Sequence, residues 1–193
     1  MADVTFFFDP ACPWTWRASR WLTLVAETRG LEIEWRPLSL RVLNPGVPDP
    51  VKRARLDTSH RLLRVIEKLR QDGRQADIAR LYAATGELVH EHDTPFDEPV
   101  LVHVLREADL VDLRETLDDA SLDAAVEAST AEAMAAAGPG VGSPVLVLPG
   151  ADRGLHGPVL GAVPDKTESL SLWEAVEALA PIKDFFELKR GRG

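Results

Sequence analysis

Apolar and polar positions divide the chain into stretches of different period. Val4 to Asp9 (VTFFFD) is a short apolar run, rich in aromatics and closed by Asp9-Pro10, the pattern of a strand buried on both faces. From Pro13 the period lengthens. Trp14, Ala18, Trp21 and Val25 fall at i, i+4, i+7 and i+11, one stripe of a helix that ends at Arg29-Gly30 with a cation in its last turn. Leu31 to Arg36 (LEIEWR) then alternates with period 2, as a strand does. The chain therefore opens β-α-β, with a right-handed crossover if the two strands are parallel neighbours.

Asn44 to Pro50 (NPGVPDP) is loop chemistry, and strand signals then vanish for about ninety residues. Leu62, Ile66 and Leu69 make one helical face; Val100, Leu101, Val104, Leu105 and Ala108 make another; Leu122, Val126 and Met134 lie on a third. Breakers at Asp72-Gly73, Thr94-Pro95 and Gly138-Pro139-Gly140 divide them. Strand signals return at Val145 to Leu148 and at Gly157 to Leu160, read together as an antiparallel hairpin. Leu172, Trp173, Val176 and Leu179 then share a helical face before Pro181. The order β-α-β, helical insert, β-β-α predicts an α/β chain: a thioredoxin-like sheet interrupted in its middle. Residues 1–48 and 139–193 would form the discontinuous thioredoxin-like domain, and residues 49–138 an inserted all-helical subdomain.

A chain of 193 residues suits one domain with such an insertion. Its 22 Lys and Arg against 31 Asp and Glu give a formal net charge of -9, which argues against a general nucleic-acid binder, since neutralising phosphates needs a basic surplus. The charge is uneven: residues 52–80 hold nine bases and four acids, and residues 87–132 hold fourteen acids and two bases. Either these are solvated helical faces that partly pair, or a basic rim guides an anionic substrate. No stretch approaches about 18 consecutive apolar residues, and the opening Met1-Ala2-Asp3 lacks the cationic and apolar regions of an export signal. A cytoplasmic protein with no membrane partner is expected.

One cysteine, Cys12, excludes an intrachain disulfide and a multi-cysteine zinc site. Pro13 is the favoured first helical residue, which makes Cys12 the N-cap, its sulfur beside unpaired N–H groups at the positive end of the helix dipole. A thiol there is expected to ionise below its usual value and to act as a nucleophile, whereas an arbitrary cysteine would be only a small buried hydrophobe. Three residues on stands Thr15. One turn of helix would let its hydroxyl donate to the sulfur, but it cannot attack a mixed disulfide, so the chemistry must be monothiol. Ser143-Pro144 opens the third strand. A cis proline there would present the Ser143 N–H and C=O to a substrate beside the thiol; the plainer alternative is a trans proline that begins the strand. Trp14 either packs in the core or forms a wall for a bound thiol. The five histidines show no metal pattern; His90 and His92, two apart, do not share a helical face.

Phe8 to Trp14, Ser19-Arg20-Trp21, Ser39 to Asn44, Leu81-Tyr82 with Gly86 and His90, Gly142-Ser143-Pro144, Gly157 to Leu160 and Phe185 to Arg190 together resemble the cytoplasmic DsbA-like proteins of actinobacteria, and within them the mycothiol-dependent nitroreductase group. The resemblance implies a thioredoxin fold with a helical insert, a nucleophilic Cys12, a cis Pro144 and a cleft for a low-molecular-weight thiol such as mycothiol. Trp14 and Asn44 match positions that line the family's pocket. Thr15 replaces the second cysteine of Cys-Pro-Trp-Cys in those relatives. The candidate catalytic residues are thus Cys12, Thr15 and Pro144, and the candidate substrate-binding residues Pro13, Trp14, Asn44 and Ser143. The expected activity is monothiol thiol-disulfide exchange, with nitro compounds or other xenobiotics as candidate oxidised substrates. Two alternatives stay open: a thiol-dependent transferase or isomerase resembling kappa-class glutathione transferases and hydroxychromene carboxylate isomerases, and a binding module without turnover.

Overall fold

A computed structural model describes residues 2–191. Strand β1 (Val4–Phe8) leads through the Cys12 turn into helix α1 (Pro13–Arg29), which Gly30 closes at a left-handed φ of 70° before strand β2 (Ile33–Pro37). The two strands are parallel neighbours, with Phe6 opposite Trp35. The helical stretch follows: α2 (Leu40–Leu43), α3 (Pro50–Gln71), α4 (Gln75–Gly86), a single π-helical turn at Glu87–Glu91, α5 (Glu98–Glu107), 3-10 turns at Val111–Asp118 and Ala120–Leu122, and α6 (Asp123–Ala137). Strands β3 (Val145–Val147) and β4 (Leu155–His156) and helix α7 (Lys166–Leu179) complete the chain. The sheet order is β2-β1-β3-β4, with β3 antiparallel to both of its neighbours.

The aromatic run of β1 fills both faces of the sheet, as its unbroken apolar pattern requires. Phe6 and Phe8 point into the main core, where Trp35 meets both rings edge-on and Tyr82 lies 4.3 Å from the Phe8 ring. Phe7 faces the other way, against Val145, Leu38 and Ala133. The main core continues without a break from β1 and α1 into α3, α4 and α5, so the helical stretch is packed onto the thiol end of the sheet.

The second half of the predicted hairpin is displaced. Leu155 and His156 pair with Leu146 and Val145, whereas residues 157–160 lie outside the sheet. Gly157 has a φ of 114°, far from extended backbone, and Pro158 has no N–H to give the ladder. Part of the charge swing is pairing between the two stretches: Arg61 with Glu98 and Asp118, and Arg64 with Asp123.

Candidate functional site

Cys12 is the N-cap of α1, with extended backbone and Pro13 at the first helical position. Its sulfur donates to the Ser143 C=O at 3.8 Å, and the Ser143-Pro144 peptide is cis. Cys12 is only 7 % exposed. The Thr15 hydroxyl pairs with the Ser143 hydroxyl at 2.7 Å while also favouring the anion of the neighbouring sulfur, and that Ser143 hydroxyl accepts from the Asp9 N–H at 3.2 Å. Cys12, Thr15, Ser143 and Pro144 are therefore brought together, the first two on α1 and the last two at the start of β3. In this state the Ser143 C=O expected to receive substrate is taken by the thiol.

A cleft of about 330 Å³ opens alongside, walled by Leu40, Leu43, Asn44, Lys52, Leu56, Val141 and Gly142. Its last two wall residues, Val141 and Gly142, lead directly into Ser143 and the cis Pro144. Asn44 lies in its wall, held by its own side-chain N–H on the Leu40 C=O at 2.8 Å. Pro13 is exposed, and Trp14 is half-buried beneath the Arg17 guanidinium, 5.1 Å from its ring. The periodicity starts the buried stripe of α1 at Trp14; the indole that enters the core is Trp16, bonded through Nε1 to Glu91.

Four residues that the sequence pattern does not single out fix the thiol turn. Asp9 is fully buried, and its carboxylate accepts from the N–H groups of Ala11 and Leu40 and from the Ser59 hydroxyl, at 2.8, 2.7 and 2.5 Å. Arg55 donates from Nε and Nη2 to the Ala11 C=O, at 3.3 and 3.1 Å. His90 Nε2 lies 2.9 Å from the Pro10 C=O; a carbonyl only accepts, so that nitrogen carries the proton. Among the described residues, no three His, Cys, Asp or Glu side chains converge as metal ligands would.

Comparison with known proteins places this arrangement. A family model for the mycothiol-dependent nitroreductase Rv2466c matches residues 11–190. The chain belongs to the Rv2466c-like family. It is 34 % identical over 199 residues, 98 % of this chain and 82 % of the relative, to Rv2286c, an uncharacterized protein of Mycobacterium tuberculosis. Among solved structures, 2-hydroxychromene-2-carboxylate isomerase superposes with a TM-score of 0.60 at 18 % identity, over 91 % of this chain and 95 % of that one. The cytosolic disulfide reductase DsbM of Pseudomonas aeruginosa gives 0.53 at 20 %, over 92 % and 99 %. These likenesses establish the DsbA-like thioredoxin fold.

Burial changes the electrostatics expected of this Rv2466c-like site. It pushes the Cys12 thiol above its ordinary value, and the nearby Asp9 charge adds to that; the Thr15 hydroxyl and the N–H groups of Thr15 and Trp14 pull the other way without prevailing. The expectation that the helix N-terminus alone would depress the thiol is thus reversed, because a nearly enclosed sulfur loses the water that would solvate its anion. Asp9 is likewise pushed up by burial, opposed by Ser59, the Leu40 and Ala11 N–H groups and Arg55. A fully buried carboxylate on the Cys12 turn leaves no trace in the pattern, where Asp9-Pro10 reads only as the stop of a strand.

Proposed function

We propose that this Rv2466c-like chain is a monothiol thiol-disulfide oxidoreductase: Cys12 forms a mixed disulfide with an oxidised substrate, and a low-molecular-weight thiol of the mycothiol kind resolves it. The observation that carries this is the Cys12 sulfur at the N-cap of α1, 3.8 Å from the Ser143 C=O, with a hydroxyl and no second thiol at the position one turn along. The Cys12 thiolate attacks one sulfur of a disulfide X–S–S–Y, the S–S bond breaks and Y leaves as a thiolate. An external thiolate RS⁻ then attacks the Cys12–S–S–X bond, releasing Cys12 and X–S–S–R. Over the cycle one thiol is consumed and one is released, so electrons balance without a partner cysteine.

In this scheme Ser143 and Pro144 present backbone to the incoming sulfur, Trp14 and Pro13 form the outer wall, and Asn44 lies in the cleft that takes the body of the thiol. A cleft of about 330 Å³ is at the lower end of small-molecule sites. Residues 1–48 and 139–193 act as the thioredoxin-like part and residues 49–138 as the inserted helical part. The cytoplasm, whose reducing poise protects a lone thiol, is the setting.

Mass spectrometry after incubation with oxidised mycothiol or oxidised glutathione tests the scheme. One adduct on Cys12, absent in Cys12→Ser and released by excess thiol, is expected; no adduct sinks it. One observation favours a second reading: the sulfur is buried and donates its proton to a carbonyl, as suits a residue that holds a thiol cofactor without bonding to it, in the manner of the isomerases the chain resembles. Saturable binding of reduced thiol with no adduct from its disulfide would favour that reading.

A further inference from the structure

Helices between β2 and β3 hold the turn that carries the thiol. Arg55 and Ser59 stand four apart on α3, so one helical face meets Asp9 to Cys12. The Arg55 guanidinium forks onto the Ala11 C=O, the carbonyl of the peptide that leads into Cys12, while Ser59 bonds the Asp9 carboxylate and accepts from the Ala11 N–H at 3.1 Å. All three partners of the Asp9 carboxylate donate to it, so the pocket is built around a negative charge three residues from the sulfur. That charge opposes a thiolate.

The other titratable groups around the thiol turn are Arg55 from α3 and Tyr82 from α4, both within electrostatic reach of Cys12, and His90 from the π turn, which meets the Pro10 C=O. Burial holds the Tyr82 phenol neutral and keeps His90 below its ordinary value. Arg55 is the member of this group that is positive at neutral pH, and its charge interacts with both Asp9 and Cys12. A lysine could reach the same carbonyl but could not fork onto it.

We propose that Arg55 is the positioning residue of this site: forked onto the Ala11 carbonyl, it holds a positive charge against the thiol turn that offsets the buried Asp9 carboxylate and lets the sulfur react as an anion. The role rests on Cys12 being the nucleophile of the cycle described above. It assigns to the helical stretch a share of the reactivity that would otherwise belong to the Cys-Pro-Trp-Thr run alone.

The pH dependence of iodoacetamide alkylation, followed on the full chain with thiolate absorbance, tests it. Arg55→Gln raises the midpoint by about one unit and slows alkylation about tenfold at a fixed pH below it, Arg55→Lys falls between, and Asp9→Asn lowers the midpoint. A merely loosened turn would instead speed alkylation at every pH and leave the midpoint in place. An unmoved midpoint in Arg55→Gln overturns the proposal. Should that variant not fold, Asp9→Asn decides: a midpoint that is unmoved or raised is equally fatal. The adduct experiment on the wild type runs separately. Midpoints that move as stated without an adduct remove the oxidoreductase cycle and keep the role of Arg55, and an adduct with unmoved midpoints does the reverse.

Discussion

The hydroxyls of Thr15 and Ser143 lie 2.7 Å apart, joining the first turn of α1 to the residue before the cis proline. Where a dithiol enzyme would keep its resolving sulfur, this chain keeps a hydroxyl and uses it to bind the opposite wall of the site. The same Ser143 whose hydroxyl is held in this way accepts the Cys12 thiol on its carbonyl, so the pair also fixes the partner of the sulfur.

Thr15→Val, which keeps the shape and removes the hydroxyl, leaves the buried Ser143 oxygen with only the Asp9 N–H. A loss of about 1 kcal/mol in urea unfolding is expected for one buried hydrogen bond. The alkylation midpoint of Cys12 also rises, because the Thr15 hydroxyl favours the anion. A variant as stable as the parent, with an unmoved midpoint, would show that the hydroxyl pair is incidental.

Gly86→Ala tests the packing behind the site. A Cβ at Gly86 would sit 2.0 Å from Trp16 Cε3. Trp16 has little room to yield, with its edge on Tyr82 at 5.6 Å, Arg20 over its ring at 4.3 Å and Nε1 bonded to Glu91. Alanine gains about 1 kcal/mol of helix propensity over glycine, while overpacking a filled core costs about 3 kcal/mol, so the net is destabilising by about 2 kcal/mol. A urea midpoint at or above that of the parent contradicts it.

Acid should weaken the fold through His60. Its Nδ1 lies 2.9 Å from the Ser39 hydroxyl and its Nε2 3.1 Å from Asp123. Burial keeps it below the ordinary 6.5, helped by Arg41 and Arg64 and opposed by Asp123. The unfolded chain therefore binds the proton first: the stability from neutral His60 is complete above 6.5 and is lost as pH falls through the lower folded value. His90 has the same sign, and Asp9, raised by burial, has the opposite one. The decisive quantity is accordingly a difference: between about pH 7.5 and about pH 5.5, stability should fall less in His60→Gln than in the parent. Parallel losses would refute the assignment.

Legibility in the sequence follows locality. Strand β1, helix α1 and the cap at Cys12 are readable because period, proline and turn glycine act within a few residues. Strand β4 is misplaced because two residues carry no period, and the apolar Val159-Leu160 nearby looks more like a strand than Leu155-His156. Arg55 and Ser59 are hidden inside a basic helix whose charges read as solvent face; nothing local marks a side chain that meets a turn 44 or more residues earlier. His90 enters the family resemblance without a role attached to it, and the π turn that aims it at Pro10 has no periodic signature. The family resemblance points to the Cys12 turn, and the long-range contacts show what holds that turn.

Thr15→Cys reverses the departure on which the monothiol cycle depends. The side chain at position 15 lies one helical turn from Cys12 and is fully buried at the same seam, so a thiol there meets the mixed disulfide as an intramolecular nucleophile. Mixed disulfide on Cys12 should then be too short-lived to accumulate. An intrachain disulfide between Cys12 and the introduced thiol should replace it, about two mass units below the dithiol because two hydrogens are lost. Ser143 would lose its hydroxyl partner, so the reduced variant should also be less stable by about 1 kcal/mol. An adduct as long-lived in Thr15→Cys as in the parent would mean that the hydroxyl is not what limits this chain to one thiol.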